Sequence, residues 1–253
     1  PRGYIAGLTL SNNGSDATND IDIAVGEAKD GTNAQDIVLA SALTKRLDAA
    51  WAVGTNQGGL DTGAIAITTY HVWLIKRSDT GVVDALFSTS ATSPTMPANY
   101  DYERRIGSIL RVSAAIVLFT QIGDEFLRKA SILDVNAANP GTSAVNRALS
   151  VPLGIAVWAI INAQCTNAAS GVSAVLLLSE IDRTNEAASY TAAPLGNVGR
   201  SANVSGSAGI NNTRMVIRTD TSGQIRSRVD ASDANVTVLI ATTGWIDRRG
   251  RDD

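Results

Sequence analysis

The sequence contains a single cysteine, Cys165, and a single histidine, His71, among 253 residues. One cysteine excludes an internal disulfide framework, and its position in an apolar run predicts a buried thiol. One histidine makes zinc sites and histidine-based catalytic triads hard to build, because both need histidine with partners in a defined geometry. His71 lies in a strand-like apolar segment, so a structural or surface role is favoured over catalysis.

Excess charge of one sign and long apolar runs are also missing. The 21 lysines and arginines nearly balance the 24 aspartates and glutamates, and the formal charge of -3 gives no electrostatic reason to expect binding to nucleic acid or to an anionic membrane. Apolar stretches such as residues 172–178 are far shorter than the ~20 residues of a membrane-spanning helix. The N-terminus lacks the apolar core of a secretory signal peptide. We therefore expect synthesis in a cytoplasm, no membrane insertion and no nucleic-acid partner.

What the sequence does contain is apolar residues with a period of two. Hydrophobic residues make up 44% of the chain and charged residues 18%, which is enough for a sizeable core. Short alternating runs, such as residues 21–25, are separated by clusters with turn chemistry, such as residues 12–16 and 57–59. With 22 glycines, many of them between such runs, the sequence predicts an all-β protein of antiparallel β-sandwich or jelly-roll units with little helix.

The best helical candidate is the segment 36–51, whose apolar positions fit a helical period. The same positions fit two short strands broken near Ser41, because Ile37 and Leu39 alternate with polar or small neighbours. We interpret the segment as two strands.

Two stretches share the order of an apolar strand, an Asp/Thr/Gly turn and a return strand, which is typical of a β-hairpin. They are residues 72–87 and residues 215–229. Each hairpin is expected in its own sheet system, which predicts an N-terminal β unit at 1–123 and a C-terminal β-sandwich, jelly-roll-like unit at 124–253. The likeness is explained either by duplication or by the frequent recurrence of such turns.

The core is expected in the most apolar of the strand-like runs. Its predicted members are Leu74, Ile75, Val157, Trp158, Leu176, Leu177, Ile217, Val238 and Ile240. Continuous runs such as residues 176–178 place apolar side chains on both faces of a strand. One face should therefore meet either the other sheet or a neighbouring subunit.

The sequence shows no assembled active-site motif. It has no phosphate-binding Gly-x-x-x-x-Gly-Lys-Ser/Thr loop and no dinucleotide fingerprint. Paired carboxylates could still hydrolyse glycosides without histidine or metal, and the candidates are Asp20, Asp22, Asp101, Glu103 and Glu125. Turn and surface roles explain nearly all of these acids. Turn formation is also preferred over calcium binding for the dense oxygen side chains of residues 12–20. We expect no enzyme, no cofactor and no metal.

Four arginines of the C-terminal half fall on predicted strands and could form a positive strip of sheet surface: Arg214, Arg218, Arg226 and Arg228. A solvated sheet face, or pairing with acids between subunits, is the preferred interpretation. No aromatic residues for base stacking are interleaved with these arginines.

Aromatic and amide side chains supply the candidate contacts with a ligand or partner. Trp51 precedes a Gly-rich turn and Trp245 follows Gly244, so they are the better exposed candidates among the tryptophans, although residues of this size are more often buried. The tract 191–212 is rich in Gly, Ser and Asn, which favours a loop with adaptable hydrogen bonding. The candidates in this tract are Asn197, Arg200, Asn203, Asn211 and Asn212.

Two stretches of the sequence resemble a pattern in proteins of phages and prophages. The first comprises residues 70–75 (YHVWLI), 78–84 (SDTGVVD), 88–90, Pro94, Pro97, Tyr100 and 104–107 (RRIG), and the second is 244–247 (GWID). Together they cover residues 70–107 and about the last ten, under a quarter of the chain. The resemblance implies a virion structural protein of the tail-fibre, tail-tip or head-spike type, and it carries no catalytic residues.

Composition and resemblance together predict a non-enzymatic phage virion protein, a fibre or spike component with a role in host-surface attachment. A carbohydrate-binding, lectin-like module is the alternative, and a glycan depolymerase is a further one. The expected partners are copies of the same chain, with a trimer favoured as for fibres, other virion proteins and a host surface glycan. The expected location is the virion, assembled in the host cytoplasm.

Overall fold

The structure is a computed structural model that describes residues 2–167, 173–189, 191, 197–202 and 209–251. These residues form strands, turns and irregular segments and no helix, which confirms the all-β prediction. The chain divides into two compact units: unit 1 comprises Pro1–Lys129 and Asp247–Asp253, and unit 2 comprises Ala130–Ile246. The division therefore lies after residue 123, and the last residues belong to unit 1.

Unit 1 contains short strands in two sheets and one hairpin. Its strands are β1 (Ile5–Gly7), β2 (Leu10–Asn12), β3 (Asp20–Ile23), β4 (Gly26–Lys29), β5 (Asp36–Leu39), β6 (Leu43–Ala50), β7 (Gln57–Leu60), β8 (Thr69–Arg77), β9 (Val83–Ser88), β10 (Tyr100–Val112), β11 (Ala115–Ile116), β12 (Phe119–Ile122) and the first part of β13 (Glu125–Ala138). The three-stranded sheet has the order β1-β4-β5, and the eight-stranded sheet has the order β11-β10-β8-β9-β7-β6-β3-β2. In the larger sheet β7 is parallel to β6 and β9, while the other pairings are antiparallel. β12 and the start of β13 form the hairpin.

Two local predictions are confirmed in unit 1. The segment 36–51 forms two strands, β5 and β6, with a break at residues 40–42. In β5 the inward residues Ile37 and Leu39 are buried and their neighbours are exposed, as the period of two requires. Residues 72–87 form the antiparallel hairpin of β8 and β9.

The glycine pair that the sequence analysis assigned to a turn lies in strand β7 instead. A Cβ atom on Gly58 would lie 2.0 Å from the carbonyl oxygen of Ala50, and one on Gly59 would lie 2.8 Å from the ring of Phe87. Only glycine permits this close approach of backbone to its neighbours. The two residues are therefore explained by the crowding around a parallel strand.

Side-chain hydrogen bonds connect one edge of the eight-stranded sheet, β2, to residues 117–121, which directly follow the other edge strand, β11. Asn12 of the edge strand β2 donates through Nδ2 to the carbonyl oxygen of Val117 (3.3 Å) and accepts through Oδ1 from the N–H of Phe119 (3.0 Å). Gln121 accepts through Oε1 from the N–H of Leu10 (2.7 Å). The sheet thus nearly closes, which protects backbone groups that an open edge would expose.

Unit 2 pairs its strands as one long hairpin folded over on itself. Its strands are the second part of β13, β14 (Val145–Ala148), β15 (Trp158–Asn167), β16 (Ser173–Ser179), β17 (Asn197–Ala202), β18 (Gly209–Arg218), β19 (Gln224–Val229) and β20 (Val236–Ile246). The pairs are nested and antiparallel: β14 with β19, β15 with β18, and β16 with β17. The first strand, β13, lies next to the last, β20.

These nested pairs alternate between two sheets. β20 also pairs with β15, and β19 with β16. The resulting orders are β12-β13-β20-β15-β18, in which β12 pairs with the unit 1 part of β13, and β14-β19-β16-β17. Two sheets of four strands connected in this way form a jelly roll. The predicted jelly roll is therefore confirmed in unit 2.

The prediction of a second hairpin at residues 215–229 is wrong: the turn forms, but the two strands that flank it do not pair with each other. Asp220 accepts hydrogen bonds from the N–H groups of Ser222 and Gln224, and Gly223 has a φ of 71°. β18 nevertheless pairs with β15, whereas β19 pairs with β14 and β16, so the turn carries the chain from one sheet to the other. The four arginines on these strands consequently do not form a strip on one sheet.

The predicted core is buried with one exception. Leu74, Ile75, Val157, Leu176, Leu177, Ile217, Val238 and Ile240 are all at most 9% exposed, and Trp158 is half-buried. The continuous run 176–178 is covered within the chain. These leucines therefore need no neighbouring subunit to bury them.

Candidate functional site

The two candidate tryptophans occupy packed positions. Trp245, offered by the sequence as a candidate contact, is fully buried, because a register shift between β15 and β20 at Thr243 interrupts the alternation along β20 and turns residue 245 inward. Trp51 is half-buried; its Nε1 donates to the carbonyl oxygen of Ala85 (3.1 Å), and its ring meets the ring of Tyr100 edge-on with centroids 5.3 Å apart. Trp51 therefore keeps only part of its surface for contact with a ligand.

The candidates of the C-terminal tract lie on strands of different sheets. Asn197 and Arg200 belong to β17, Asn211 and Asn212 belong to β18, and Asn203 lies outside the described residues. A single loop over 191–212 is therefore incorrect. Asn212 is exposed, and a role of the five residues in partner contact stays a prediction.

Lys45 and Asp84 form a buried ion pair in unit 1. The Nζ and Oδ1 atoms are 3.2 Å apart, and the side chains are 0% and 1% exposed. Nζ also donates to the carbonyl oxygens of Ala52 (2.7 Å) and Gly54 (3.2 Å). Burial lowers the pKa of Lys45, and the charge of Asp84 opposes this shift. Since these partners use the donors of the ammonium group, the pair is structural.

Three residue types of a serine-hydrolase triad, His71, Ser108 and Asp247, meet in unit 1. His71 Nδ1 is 2.9 Å from Ser108 Oγ, and Ser108 Oγ donates to Asp247 Oδ2 over 3.1 Å. In a triad the carboxylate holds the histidine, but here it binds the serine. All three residues are at most 1% exposed, so a substrate cannot reach Ser108. The arrangement is that of a structural network.

Arg105 completes this network with a two-pronged ion pair. Its Nη1 and Nη2 donate to Asp247 Oδ2 (2.6 Å) and Oδ1 (2.9 Å). Burial alone would raise the pKa of Asp247, but the guanidinium of Arg105 and the N–H of Arg249 hold it below its ordinary value. The paired residues lie in the segments 104–107 and 244–247, which are far apart in the sequence.

A cavity of about 460 Å³ lies in unit 1 and includes residues of this network. Its buried lining residues are Asp30, Trp73, Arg104 and Arg105, and its more exposed ones include Asp101 and Glu103 of β10. Sites for small molecules have volumes of about 300–1,000 Å³ and combine apolar walls with a few polar groups. The cavity has the size and the mixed lining of such a site.

The carboxylates that line the cavity differ in their hydrogen bonds. Asp30 accepts from the N–H of Gln35 (2.7 Å). Burial alone would raise the pKa of Asp30, but hydrogen bonds from its own turn hold it below its ordinary value. Asp101 Oδ2 accepts from the N–H and the hydroxyl of Ser78. Burial raises the pKa of Glu103, the one carboxylate of the three without a hydrogen bond from a described residue.

Two of the five acids that the sequence analysis considered are thus brought together. Asp101 and Glu103 are two residues apart on one strand and line the same cavity. Asp22 lies in β3, where it accepts hydrogen bonds from Asn13 and Thr44. The convergence of Trp73 and the two arginines on the same cavity has no signal in the local sequence.

The turn between β2 and β3 uses its oxygens internally. Asn13 Oδ1 accepts from the N–H groups of Ser15 and Asp16, and Asp16 Oδ1 accepts from those of Thr18 and Asn19. In the described part of the chain, no group of three His, Cys, Asp or Glu side chains is arranged to hold a metal ion. No helix among the described residues has the length and apolarity needed to cross a membrane.

Unit 2 has a smaller cavity, of about 270 Å³, near the turn between β18 and β19. Its lining includes Glu180, Asp182 and Arg218, and an ion pair of 3.6 Å joins the last two. Because these charges already have partners or face solvent, the cavity of unit 1 is the stronger candidate site.

Comparisons with known proteins find little similarity. No protein-family model matches the chain, and no curated protein matches it. Among solved structures, the chain is similar to the structure of infectious bursal disease virus, Gx strain, with 10% identity and a TM-score of 0.28 over 99% of this chain and 72% of that chain. It is also similar to the VP2 subviral particle of infectious bursal disease virus, with 9% identity and a TM-score of 0.20 over 96% of this chain and 72% of that chain. TM-scores this low carry no argument about function.

Proposed function

We propose that the chain is a non-enzymatic structural protein of a phage virion, a component of a fibre or spike that is assembled in the host cytoplasm. The observation that carries the proposal is the strand order of unit 2, whose nested pairs alternate between two sheets. Jelly rolls occur in viral capsid proteins and in lectins. The resemblance of residues 70–107 and 244–247 to phage proteins favours the virion over the lectin.

The burial of two possible nucleophiles, Ser108 and Cys165, supports the proposal that the chain is not an enzyme. Ser108 is fully buried and held by Asp247. Burial raises the pKa of Cys165 to about 11, so the thiol carries little of the reactive thiolate at neutral pH. Neither group is available for attack on a substrate in this structure.

We propose that the working form is a homo-oligomer, with a trimer favoured. Leu118, which directly precedes β12, and Ile122, at its end, are 50% and 62% exposed and alternate with the buried residues Phe119 and Gln121, so they face outward on the same side. Leu127 lies opposite Thr120 on β13 and is only half-buried. A row of exposed aliphatic side chains is typical of a surface that is covered on assembly.

Sedimentation equilibrium of the purified chain tests the oligomer. The expected mass is three times the 26.3 kDa of one chain. The double variant Leu118→Asp/Ile122→Asp should sediment as a single chain with an unchanged circular dichroism spectrum. Ile67→Asp is the matched control, because Ile67 is 66% exposed but lies outside this row, and it should remain a trimer. A stable monomer of the parent at micromolar concentration would contradict the proposal.

Particles purified from a host that carries the gene test the location. Peptides of this chain should be found in the particles by mass spectrometry at a constant ratio to the major coat protein. An antibody against the chain should label fixed positions on the particles in electron micrographs. If the chain is absent from the particles, the virion assignment is wrong.

We also propose that the tract 191–212 contacts the host surface or a neighbouring virion protein. Because part of the tract is strand β17, replacing all of it would remove a strand. The test is therefore the double variant Asn203→Ala/Asn212→Ala, which should fold and assemble but adsorb less to host cells. Asn136→Ala, an exposed amide on β13, is the control. Equal adsorption by the parent and the double variant would mean that these two residues are not part of the contact with the host surface.

A lectin-like, carbohydrate-binding function is the second candidate, and the cavity of unit 1 favours it. A glycan depolymerase would need Asp101 and Glu103 to act as a carboxylate pair. Incubation of the purified chain with host surface polysaccharide distinguishes a lectin from a depolymerase. Only a depolymerase would cleave the polysaccharide and release new reducing ends. Release that Glu103→Gln abolishes would replace the non-enzymatic proposal.

A further inference from the structure

We propose that the cavity of unit 1 binds a neutral, hydroxyl-rich ligand of the sugar class, with Glu103 and Asp101 as its hydrogen-bond acceptors. The choice of a sugar rests on the attachment role proposed above. The site itself rests on the geometry of the cavity, which would hold a ligand even if the attachment role were wrong.

Carboxylate oxygens of Glu103 and Asp101 have no donor among the described residues. No described residue donates to the carboxylate of Glu103, which is half-buried in the cavity wall. Burial is the cause that raises its pKa, as expected for a carboxylate that has lost water without gaining a partner. Asp101 uses Oδ2 for Ser78, and Oδ1 has no donor among the described residues. A ligand that enters the cavity therefore meets acceptors and must bring donors.

The charged residues that line the cavity favour a neutral ligand. Arg104 and Arg105 line the same cavity as the three carboxylates of Asp30, Asp101 and Glu103, and Arg105 is also paired with Asp247. An ammonium ligand would be attracted by Glu103 but repelled by the guanidinium groups, and an anion would meet the opposite conflict. A neutral ligand with several hydroxyl groups avoids both conflicts and supplies the missing donors.

The shape of the cavity and its opening to solvent also suit a sugar. Trp73 and Ala91 give the lining apolar surface, which suits the C–H groups of a sugar ring. Thr32 and Thr92 are exposed at the cavity, so a ligand can enter from solvent. The volume of about 460 Å³ suits a small molecule and is too small for a folded partner.

Saturation-transfer NMR on the purified chain tests the proposal. The probes are methyl α-glucoside, methyl α-galactoside, methyl α-mannoside and N-acetylglucosamine, with cadaverine as an ammonium probe and sulfate as an anion probe. At least one sugar should receive saturation on its ring protons, and neither charged probe should bind. Failure of every sugar, or binding of cadaverine or sulfate alone, would overturn the proposal.

Substitutions place the binding in this cavity. Glu103→Gln should weaken sugar binding at least tenfold, because the Gln side-chain amide keeps the shape and loses the charged acceptor. Glu125→Gln changes an exposed carboxylate outside the cavity and should leave the affinity unchanged. Unchanged affinity in Glu103→Gln would overturn the assignment.

A second variant guards against a folding defect in the first. Gly31 is exposed at the cavity, its φ is ordinary, and a Cβ atom there would meet only the carbonyl oxygen of Glu103 at 3.6 Å. Gly31→Trp should therefore fold and obstruct the cavity, abolishing sugar binding. If it folds and binds as the parent does, the ligand lies elsewhere.

The outcome can be separated from that of the virion proposal. Sugar binding by a chain that is absent from particles would support this site and reject the virion role. Incorporation into particles without sugar binding would support the virion role and reject the sugar site.

Discussion

The interiors of the two units differ in the kind of polar residue they bury. Seven charged residues are buried among the described residues of unit 1: Asp30, Lys45, Asp84, Arg104, Arg105, Asp247 and Arg249. The described part of unit 2 buries polar but uncharged residues, such as Ser227 and Thr242, and no charged one. Ionic partners are therefore part of the interior of unit 1, whereas unit 2 depends on apolar packing.

The burial of individual strands explains this difference. In β8 seven consecutive residues are buried, from Thr69 to Ile75, and in β10 residues 104–110 are buried in the same way. A strand covered on both faces has no solvent side, so its polar side chains must find partners inside. In β19 and β20 of unit 2, buried and partly exposed residues alternate almost strictly, and the arginines of β19, Arg226 and Arg228, lie on the partly exposed side.

Because their interiors differ, the two units should lose stability for different reasons. A buried charge that loses its partner keeps the cost of its own desolvation. A truncated apolar side chain loses its transfer free energy and leaves a cavity. The first loss depends on pH and the second does not.

Asp247→Ala should have the largest effect, because it leaves the guanidinium of Arg105 buried without its carboxylate. Removing one partner of a buried ion pair costs about 3–5 kcal/mol of unfolding free energy. The control is Asp48→Ala, which breaks an exposed pair with Arg46 and should cost ~0–1 kcal/mol. Urea-induced unfolding measures both values. Equal losses would mean that buried charges contribute no more to unit 1 than surface pairs do.

Much of the fold could be predicted from the period of two. It identified the strands of residues 36–51 and the hairpin at 72–87, and eight of the nine predicted core residues are buried. It failed for residues 215–229, because turn chemistry is local while the sheet that a strand joins depends on distant partners. It also made Trp245 a candidate contact because this residue follows Gly244, whereas the break in alternation beside Gly244 buries the side chain.

The candidate site was predictable only in part. Asp101 and Glu103 were among the five candidate acids, but the sequence did not indicate which two of the five would meet. The burial of Arg105 could not be predicted, because its partner Asp247 lies 142 residues away in the sequence. A pattern that assigns every charged residue to the surface misses such pairs.

Leu176→Ala should destabilise unit 2 by about 2–5 kcal/mol, because Leu176 is 0% exposed and its truncation leaves a cavity. Leu133→Ala removes a side chain that is 53% exposed and should change the unfolding free energy by less than ~0.5 kcal/mol. Urea unfolding at pH 7 and at pH 5 measures the variants. If the loss of unfolding free energy in Leu176→Ala differed between the two pH values, unit 2 would not differ from unit 1 in the way proposed.

Acid should loosen unit 1 before unit 2. The pKa values of Asp30 and Asp247 lie below their ordinary value of 3.8, so their stabilisation is present above about pH 4 and is lost as the pH falls through the lowered values. Hydrogen exchange of peptides from β10 should accelerate at least tenfold between pH 5 and pH 2.5, after correction for the intrinsic rate. Peptides from β15 serve as the internal comparison and should change less. Equal acceleration of both would contradict the assignment of acid sensitivity to unit 1.

Cys165 gives unit 2 a chemical probe of its own, and the effect expected there is the smallest on stability. The thiol is fully buried, and its pKa of about 11, against an ordinary 9.0, lowers the thiolate fraction at pH 8 by about 100-fold. Iodoacetamide should therefore label the native chain at least 100-fold more slowly than the urea-unfolded chain. Leu176→Ala should speed the labelling, because a less stable unit 2 opens more often. Rapid labelling of the native parent would show that the apolar interior of unit 2 is more open than the burial of this thiol indicates.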